Sequence, residues 1–202
     1  MNYNRITHIP YIILLLMLLA ILLFVELKNK KMLFFIMIMF CCFLMVNLGN
    51  LQRQRTQKDM VIYSINNMTA IDFIEGRSHV LVADSTFFKD ESAFSYNIEN
   101  FLVSRGVFYG GKIELLSEDF DWNFVKKQKS VVTFGENLIG LSDGSSFFKE
   151  SLTYRIPVDC MLVYGRKRQS LKSLLNVYAF DYLIIDASVP NYLASKLIEE
   201  AE

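Results

Sequence analysis

Two stretches of the chain carry no formal charge, Ile6–Val25 and Met32–Gln52. Past them the pattern changes to short apolar runs divided by polar turns. Each uncharged stretch is about as long as the ~20 residues a helix needs to cross the hydrocarbon core of a bilayer. Both are apolar on every side, which sets them apart from one-sided surface helices. The pattern predicts two spans, 6–25 and 32–52, joined by Glu26-Leu27-Lys28-Asn29-Lys30-Lys31. So short a connection demands an antiparallel pair, so residues 1–58 read as a transmembrane helical hairpin and 59–202 as a soluble domain. A cleaved signal peptide is the competing reading of the first run. Its apolar segment exceeds a signal core and no small-x-small site follows, so the run reads as retained. Asn47 and Gly49 read as the C-terminal end of the second helix, where Asn and Gly are common; a helix–helix contact is the competing reading.

In the soluble part, β-branched and aromatic runs predict strands at Met60–Ile65, Ala70–Ile74 and His79–Ala83. Asn66-Asn67 and Glu75-Gly76-Arg77-Ser78 supply the reversals between them, giving a β-meander. A helix is expected over Asp90–Ser104, stopped by Gly106. Lys112–Leu116, Ser130–Phe134 and Asn137–Leu141 are short strand candidates. Asp159–Tyr164 and Asp181–Asp186 read as buried strands, with an amphipathic helix at Gln169–Tyr178 between them and a last helix opened by Pro190. Strand–helix–strand at this spacing predicts a parallel βαβ unit. The fold class expected is therefore α/β, with mixed sheets.

Charge alters this picture in one respect. The chain has 21 Lys/Arg and 21 Asp/Glu side chains. Seven of the basic ones and a single acid, Glu26, fall in residues 1–58, leaving 14 basic and 20 acidic side chains, a net of −6, in the remainder. The basic residues gather at the predicted membrane edges, where anionic headgroups lie. The lysine-rich turn is expected on the cytoplasmic side and the soluble domain on the outer, periplasmic side. Arg5, Arg53, Arg55 and Lys58 sit on the opposite side of the spans. The mild acidity of the domain argues against a broad phosphate-binding surface.

Candidate chemistry is sparse. His8 and His79, with Cys41, Cys42 and Cys160, do not supply the spaced ligand set of a zinc site, and no disulfide framework is readable. His79 is expected as a half-buried strand residue. Glu118-Asp119-x-Asp121 lacks the spacing of a calcium loop and reads as a solvated turn with Phe120 and Trp122 packed inward. No G-x-S-x-G elbow and no glycine-rich phosphate loop occurs. Gly165-Arg166-Lys167-Arg168 stands out. It follows a buried strand and precedes a helix, the place where α/β proteins bind ligands. Arg166, Lys167 and Arg168 there can receive a phosphate backbone or an acidic lipid; a solvated loop is the competing reading. Lys126-Lys127-x-Lys129 forms a second, weaker basic patch.

The order of these segments resembles the C-terminal part of the ComEC competence-protein family, the bacterial DNA-uptake channel. Ser64-Ile65-Asn66-Asn67-Met68-Thr69-Ala70 occupies the place of the family's D-V-G-Q-G-D-A segment. Val80-Leu81-Val82-Ala83-Asp84-Ser85 occupies that of the strand ending in D-[TS]-G. Asp159–Tyr164, Gly165-Arg166-Lys167 and Tyr182–Asp186 follow as the late strand, motif loop and strand. The resemblance implies a metallo-β-lactamase-like fold in degenerate form. The His-x-His-x-Asp-His motif is absent, Asn66, Met68 and Thr69 replace glycines and an aspartate, and Gly165-Arg166 stands where the late histidine pair belongs. This is similar to the metal-free version of Bacteroidetes-type members. It implies a non-catalytic part of a multi-pass inner-membrane protein that assists DNA uptake without a cofactor, with Asp84 as a structural remnant. The partners implied are the lipid bilayer, single-stranded DNA at Arg166, Lys167 and Arg168, and the remaining channel-forming helices. A membrane-tethered scaffold that binds a protein and has no DNA role is the alternative.

Overall fold

The computed structural model describes residues 4–27, 30–89, 94–107, 112–116, 118–145 and 154–201. The chain divides into two compact units, Met1–Thr56 and Gln57–Glu202.

The first unit holds helices α1 (Asn4–Leu27) and α2 (Lys30–Thr56), which pack on each other. Among the described residues one stretch, Leu33–Thr56, is long and apolar enough to cross a membrane, whereas Pro10–Val25 is apolar but shorter. The first predicted span therefore falls below the length that the second reaches. Asn47 and Gly49 are not at a helix end as expected, because α2 continues to Thr56. Asn47 donates its side-chain amide to the Phe43 carbonyl at 2.8 Å, which satisfies the polar group within its own helix.

The second unit opens with β1 (Lys58–Ile65), β2 (Met68–Glu75) and β3 (Ser78–Ala83), paired antiparallel as the expected meander. Asn67 at φ 61° and Gly76 at φ 60° adopt the left-handed backbone that these two-residue reversals need. Strand β4 (Lys112–Leu115) adds parallel to β3 and completes a four-stranded sheet. The second sheet has six strands: β5 (Phe120–Trp122), β6 (Val125–Gln128), β7 (Val131–Phe134), β8 (Asn137–Ser142), β10 (Cys160–Val163) and β12 (Tyr182–Ile185). Its order is β12-β10-β8-β7-β6-β5, with β5 to β8 antiparallel and β8, β10 and β12 parallel. The expected parallel βαβ unit is β10, helix α4 (Leu171–Leu175) and β12.

Residue alternation on the strands builds the layers. On β2, Ala70 and Ile74 face one cluster and Ile71 and Phe73 the other. The first cluster is covered by Ile98 and Leu102 of a helical segment, a π-turn over Ser95–Glu99 that runs into α3 (Asn100–Ser104). The expected start of this helix, residues 90–93, lies outside the described residues. Its expected stop holds, since Gly106 turns the chain at φ 69°. The second cluster joins the two sheets, with the Phe73 and Phe134 rings 5.3 Å apart. On β10, Leu162 points into that cluster while Met161 and Val163 point to a third one, closed by Leu174, Leu193 and Leu197 of α4 and α5 (Asn191–Glu199). The layers therefore run helix, sheet, sheet, helix, a mixed α/β architecture.

Three local expectations need correction. The helix expected over Gln169–Tyr178 is only α4. Ser170 starts it, its Oγ accepting from the Ser173 amide, and Tyr178–Ala179 leaves as β11 to pair in parallel with β9 (Ile156–Pro157). The acidic segment read as a turn contains β5, whose Phe120 and Trp122 do pack inward. His79 is buried rather than half-buried, with Nδ1 3.0 Å from Asp72 Oδ1.

Candidate functional site

The parallel strands β8, β10 and β12 all end at the same edge of the second sheet. The loops after β8 and β10, with the segment after β3, meet around a cleft of about 630 Å³. Asp84 and Ser85 come from the end of β3, Asp143–Ser145 from β8, and Tyr164 from β10. Lys127, Lys129 and Ser130 form part of the opposite wall.

Asp84 is a latch. Its Oδ1 accepts from the Thr86 amide, the Thr86 hydroxyl and the Phe87 amide, and its Oδ2 from the Thr69 amide at 3.1 Å. Thr69 in turn donates or shares its hydroxyl with Asp186 Oδ2 at 2.8 Å and Ser188 Oγ at 2.9 Å. Ser188 Oγ also accepts the Gly165 amide at 2.9 Å. This chain of bonds ties the start of β2 to the loop after β12 and to the first residue of the basic loop. Thr69, Asp186 and Ser188 are buried. Among the described residues, Asp186 Oδ1 is a buried oxygen with no hydrogen-bond partner.

The basic loop is set by two glycines. Gly165 adopts φ 81°, a left-handed backbone that a residue without Cβ reaches without strain. Gly144, at φ 74°, lies under the loop, and a Cβ there would come 2.8 Å from Lys167 Cβ. Arg166, Lys167 and Arg168 are exposed. Lys167 Nζ stands 3.9 Å from Asp143 Oδ2, and Gln169 folds back to donate to the Ser142 carbonyl at 3.1 Å. The three predicted residues stand on the loop that follows β10, at the C-terminal edge of the parallel strands.

The second basic patch is split: Lys127 and Lys129 line the cleft, and Lys126 does not. Lys126 pairs with Asp121 at 2.5 Å on the outer face. Lys127 points inward at 4% exposure, donating to the Glu118 carbonyl at 3.0 Å. Strand alternation separates neighbours that sequence alone places together.

Electrostatics in the cleft follow burial. Burial pushes the Tyr164 phenol well above its ordinary value, and the charges of Asp143 and Asp84 push the same way. For Asp143, burial works upward, but hydrogen bonds from the Ser145 side chain and backbone, with the Lys167 charge, outweigh it and hold the carboxyl below its usual range. Among the described residues no group of three or more His, Cys, Asp and Glu is placed to hold a metal ion.

Reasoning from sequence did not single out Ser188, and it took Thr69 only as a replaced motif position and Lys127 only as part of a weak basic patch. Ser188 follows the edge strand β12 by three residues, at the C-terminal end of a parallel strand, a position that would have flagged it. Thr69 and Asp186 lie 117 residues apart, and nothing local connects them.

The family model of the ComEC C-terminal domain matches residues 60–202. No curated protein and no solved structure matches the chain. ComEC proteins are membrane proteins of competence and DNA uptake. With the meander, the parallel βαβ unit and this match over most of its length, the chain belongs to the ComEC C-terminal domain family, as the C-terminal part of a ComEC-type competence protein.

Proposed function

We propose that the soluble domain holds or guides a single DNA strand during uptake and does not hydrolyse it. The observation that carries this reading is the exposed Arg166–Arg168 loop at the C-terminal ends of the parallel strands. Cations on a loop track a phosphate backbone without reading its sequence. The helix–sheet–sheet–helix layering supports a metallo-β-lactamase-like fold in degenerate form. α1 and α2 act as a two-span hairpin in the bacterial inner membrane, packed against the remaining helices of the channel, with residues 59–202 on the outer side.

Cross-linking of the full chain to transforming DNA tests the contact. Replacing Arg166, Lys167 and Arg168 together by Glu is expected to abolish the cross-link and depress uptake. Unchanged uptake would remove the claim. The acidic balance of residues 59–202 favours a second reading, a membrane-tethered scaffold for a protein partner. Recovery of one protein from membranes, with uptake intact in the triple variant, would establish that reading instead.

A further inference from the structure

We propose that the cleft is an anion site built on a fixed lysine, in which Lys127 takes one phosphate group of the strand and Lys129 stands at the mouth. The proposal rests on the DNA reading above, and it adds a second point of contact inside the fold. Lysine is almost never fully buried unless it is paired. Lys127 is 4% exposed, and its ion-pair partner Asp119, at 3.6 Å, is 59% exposed. A pair that served only to pin the Glu118–Asp119 turn would be made as well at the surface, without the several kcal/mol that desolvating an ion costs. An ammonium has three donors. One goes to the Glu118 carbonyl and one side faces Asp119, which leaves a third N–H on a side chain that lines the cleft.

Asp119 organises both cations. Its Oδ1 also accepts the Lys129 backbone amide at 2.6 Å, and Lys129 is held at φ 54°, so its side chain leaves from a fixed point on the rim. The two carboxylates of the cleft keep their negative charge, but their lone pairs are spent on protein donors rather than on the cations of the site. Asp84 accepts four bonds from its own segment and from Thr69. Asp143 is engaged by Ser145 and Lys167. Ser130, at the same wall, has its hydroxyl engaged with the Tyr178 phenol at 2.5 Å. The volume, about 630 Å³, is within the range of small-molecule pockets, roughly 300–1,000 Å³. One nucleotide fits, so the strand is expected to enter by an end or an extruded residue.

Calorimetry on the full chain in detergent, with thymidine 5′-monophosphate against thymidine, tests the site. The monophosphate is expected to bind about tenfold or more tightly than thymidine, and Lys127→Met to lose about tenfold or more of that affinity, the scale of a charged hydrogen bond. Lys127→Arg should retain binding. Should Lys127→Met fail to fold, the exposed Lys129→Gln decides, with an expected loss of about twofold to fivefold. Equal binding of monophosphate and thymidine would overturn the site, as would full affinity in a folded Lys127→Met or, where that variant does not fold, in Lys129→Gln. Inorganic phosphate should compete. Competition by anionic phosphatidylglycerol vesicles with none by oligothymidylate would reassign the phosphate to a lipid headgroup and overturn the DNA source. If the full chain binds no oligothymidylate and the glutamate triple variant takes up DNA normally, the DNA reading fails. The anion site then still stands or falls on whether inorganic phosphate binds in a Lys127-dependent way.

Discussion

Tyr63 and Asp143 show how single side chains acquire properties from their surroundings. Burial raises the Tyr63 phenol far above its ordinary value, and the charge of Asp72 and the 3.3 Å hydrogen bond to Asp72 Oδ2 add to the effect. A group whose folded value is raised stabilises the fold below its unfolded value, and that contribution is lost as pH climbs. Urea unfolding of the full chain should therefore show stability falling above about pH 10, the ordinary tyrosine value, and a flatter fall in Tyr63→Phe. Asp143 has the opposite sign. Its depressed carboxyl contributes above the ordinary aspartate value and ceases to do so as pH falls through the folded one. Its carboxyl resonance should titrate below the usual value of 3.8, and Ser145→Ala should move the midpoint up. Ser188 is the residue whose loss reaches furthest. Ser188→Ala strips a buried partner from Thr69 and from the Gly165 amide, and leaving such groups unpaired costs about 1–3 kcal/mol. Hydrogen exchange at Gly165 should quicken in that variant. An unchanged rate would mean that Ser188 does not hold the basic loop.

At the scale of elements, the pairing of β8 with β10 depends on a missing side chain. Gly140 is in register with Met161, and a Cβ at position 140 would run into the Met161 sulfur. Met161 is fully buried and has nowhere to retreat. Gly140→Val should destabilise the domain by about 1–3 kcal/mol, the usual penalty of overpacking, and Met161→Ala in the same chain should return part of it. β10 was legible because its apolar run is unbroken, and β2 because apolar, β-branched and aromatic residues flank the single Asp72 at its centre. β6 was not, because Val125-Lys126-Lys127-Gln128 places a lysine on its inner face and loses the apolar alternation. β9 and β11 are two residues each and leave no period to detect. The helix before β11 looked too long because Val177 and Tyr178 continue its apolar rhythm, although they reach the third cluster from a turn and from a strand.

For the whole molecule, the division into a helical unit and a sheet-rich unit follows the change in hydrophobic pattern along the chain. The basic loop was readable, since its charge and its place between strand and helix are both local. The cleft was not, because its walls come from the ends of β3 and β8, the β6–β7 turn and the segments after β10, joined by bonds that span most of the unit. The orientation of the helical pair is testable on the intact protein. Cysteines placed at Lys30 or Lys31 should stay unlabelled by an impermeant reagent in whole cells and become labelled after permeabilisation. Labelling from outside would invert the topology and put the soluble unit in the cytoplasm.

The bond between Thr69 and Asp186 also sets a clock on the birth of the protein. At about 5–20 residues per second, a ribosome needs on the order of ten seconds to deliver Asp186 after Thr69. Throughout that interval β2 exists without the partners that its start requires, and the parallel edge formed by β8 and β10 lacks β12. The nascent sheets must wait, their ladders incomplete at one edge, until the last strand and helix arrive. Substitutions that weaken this closing bond are expected to reduce the yield of full-length protein in the cell more than they reduce the stability of molecules that have finished folding.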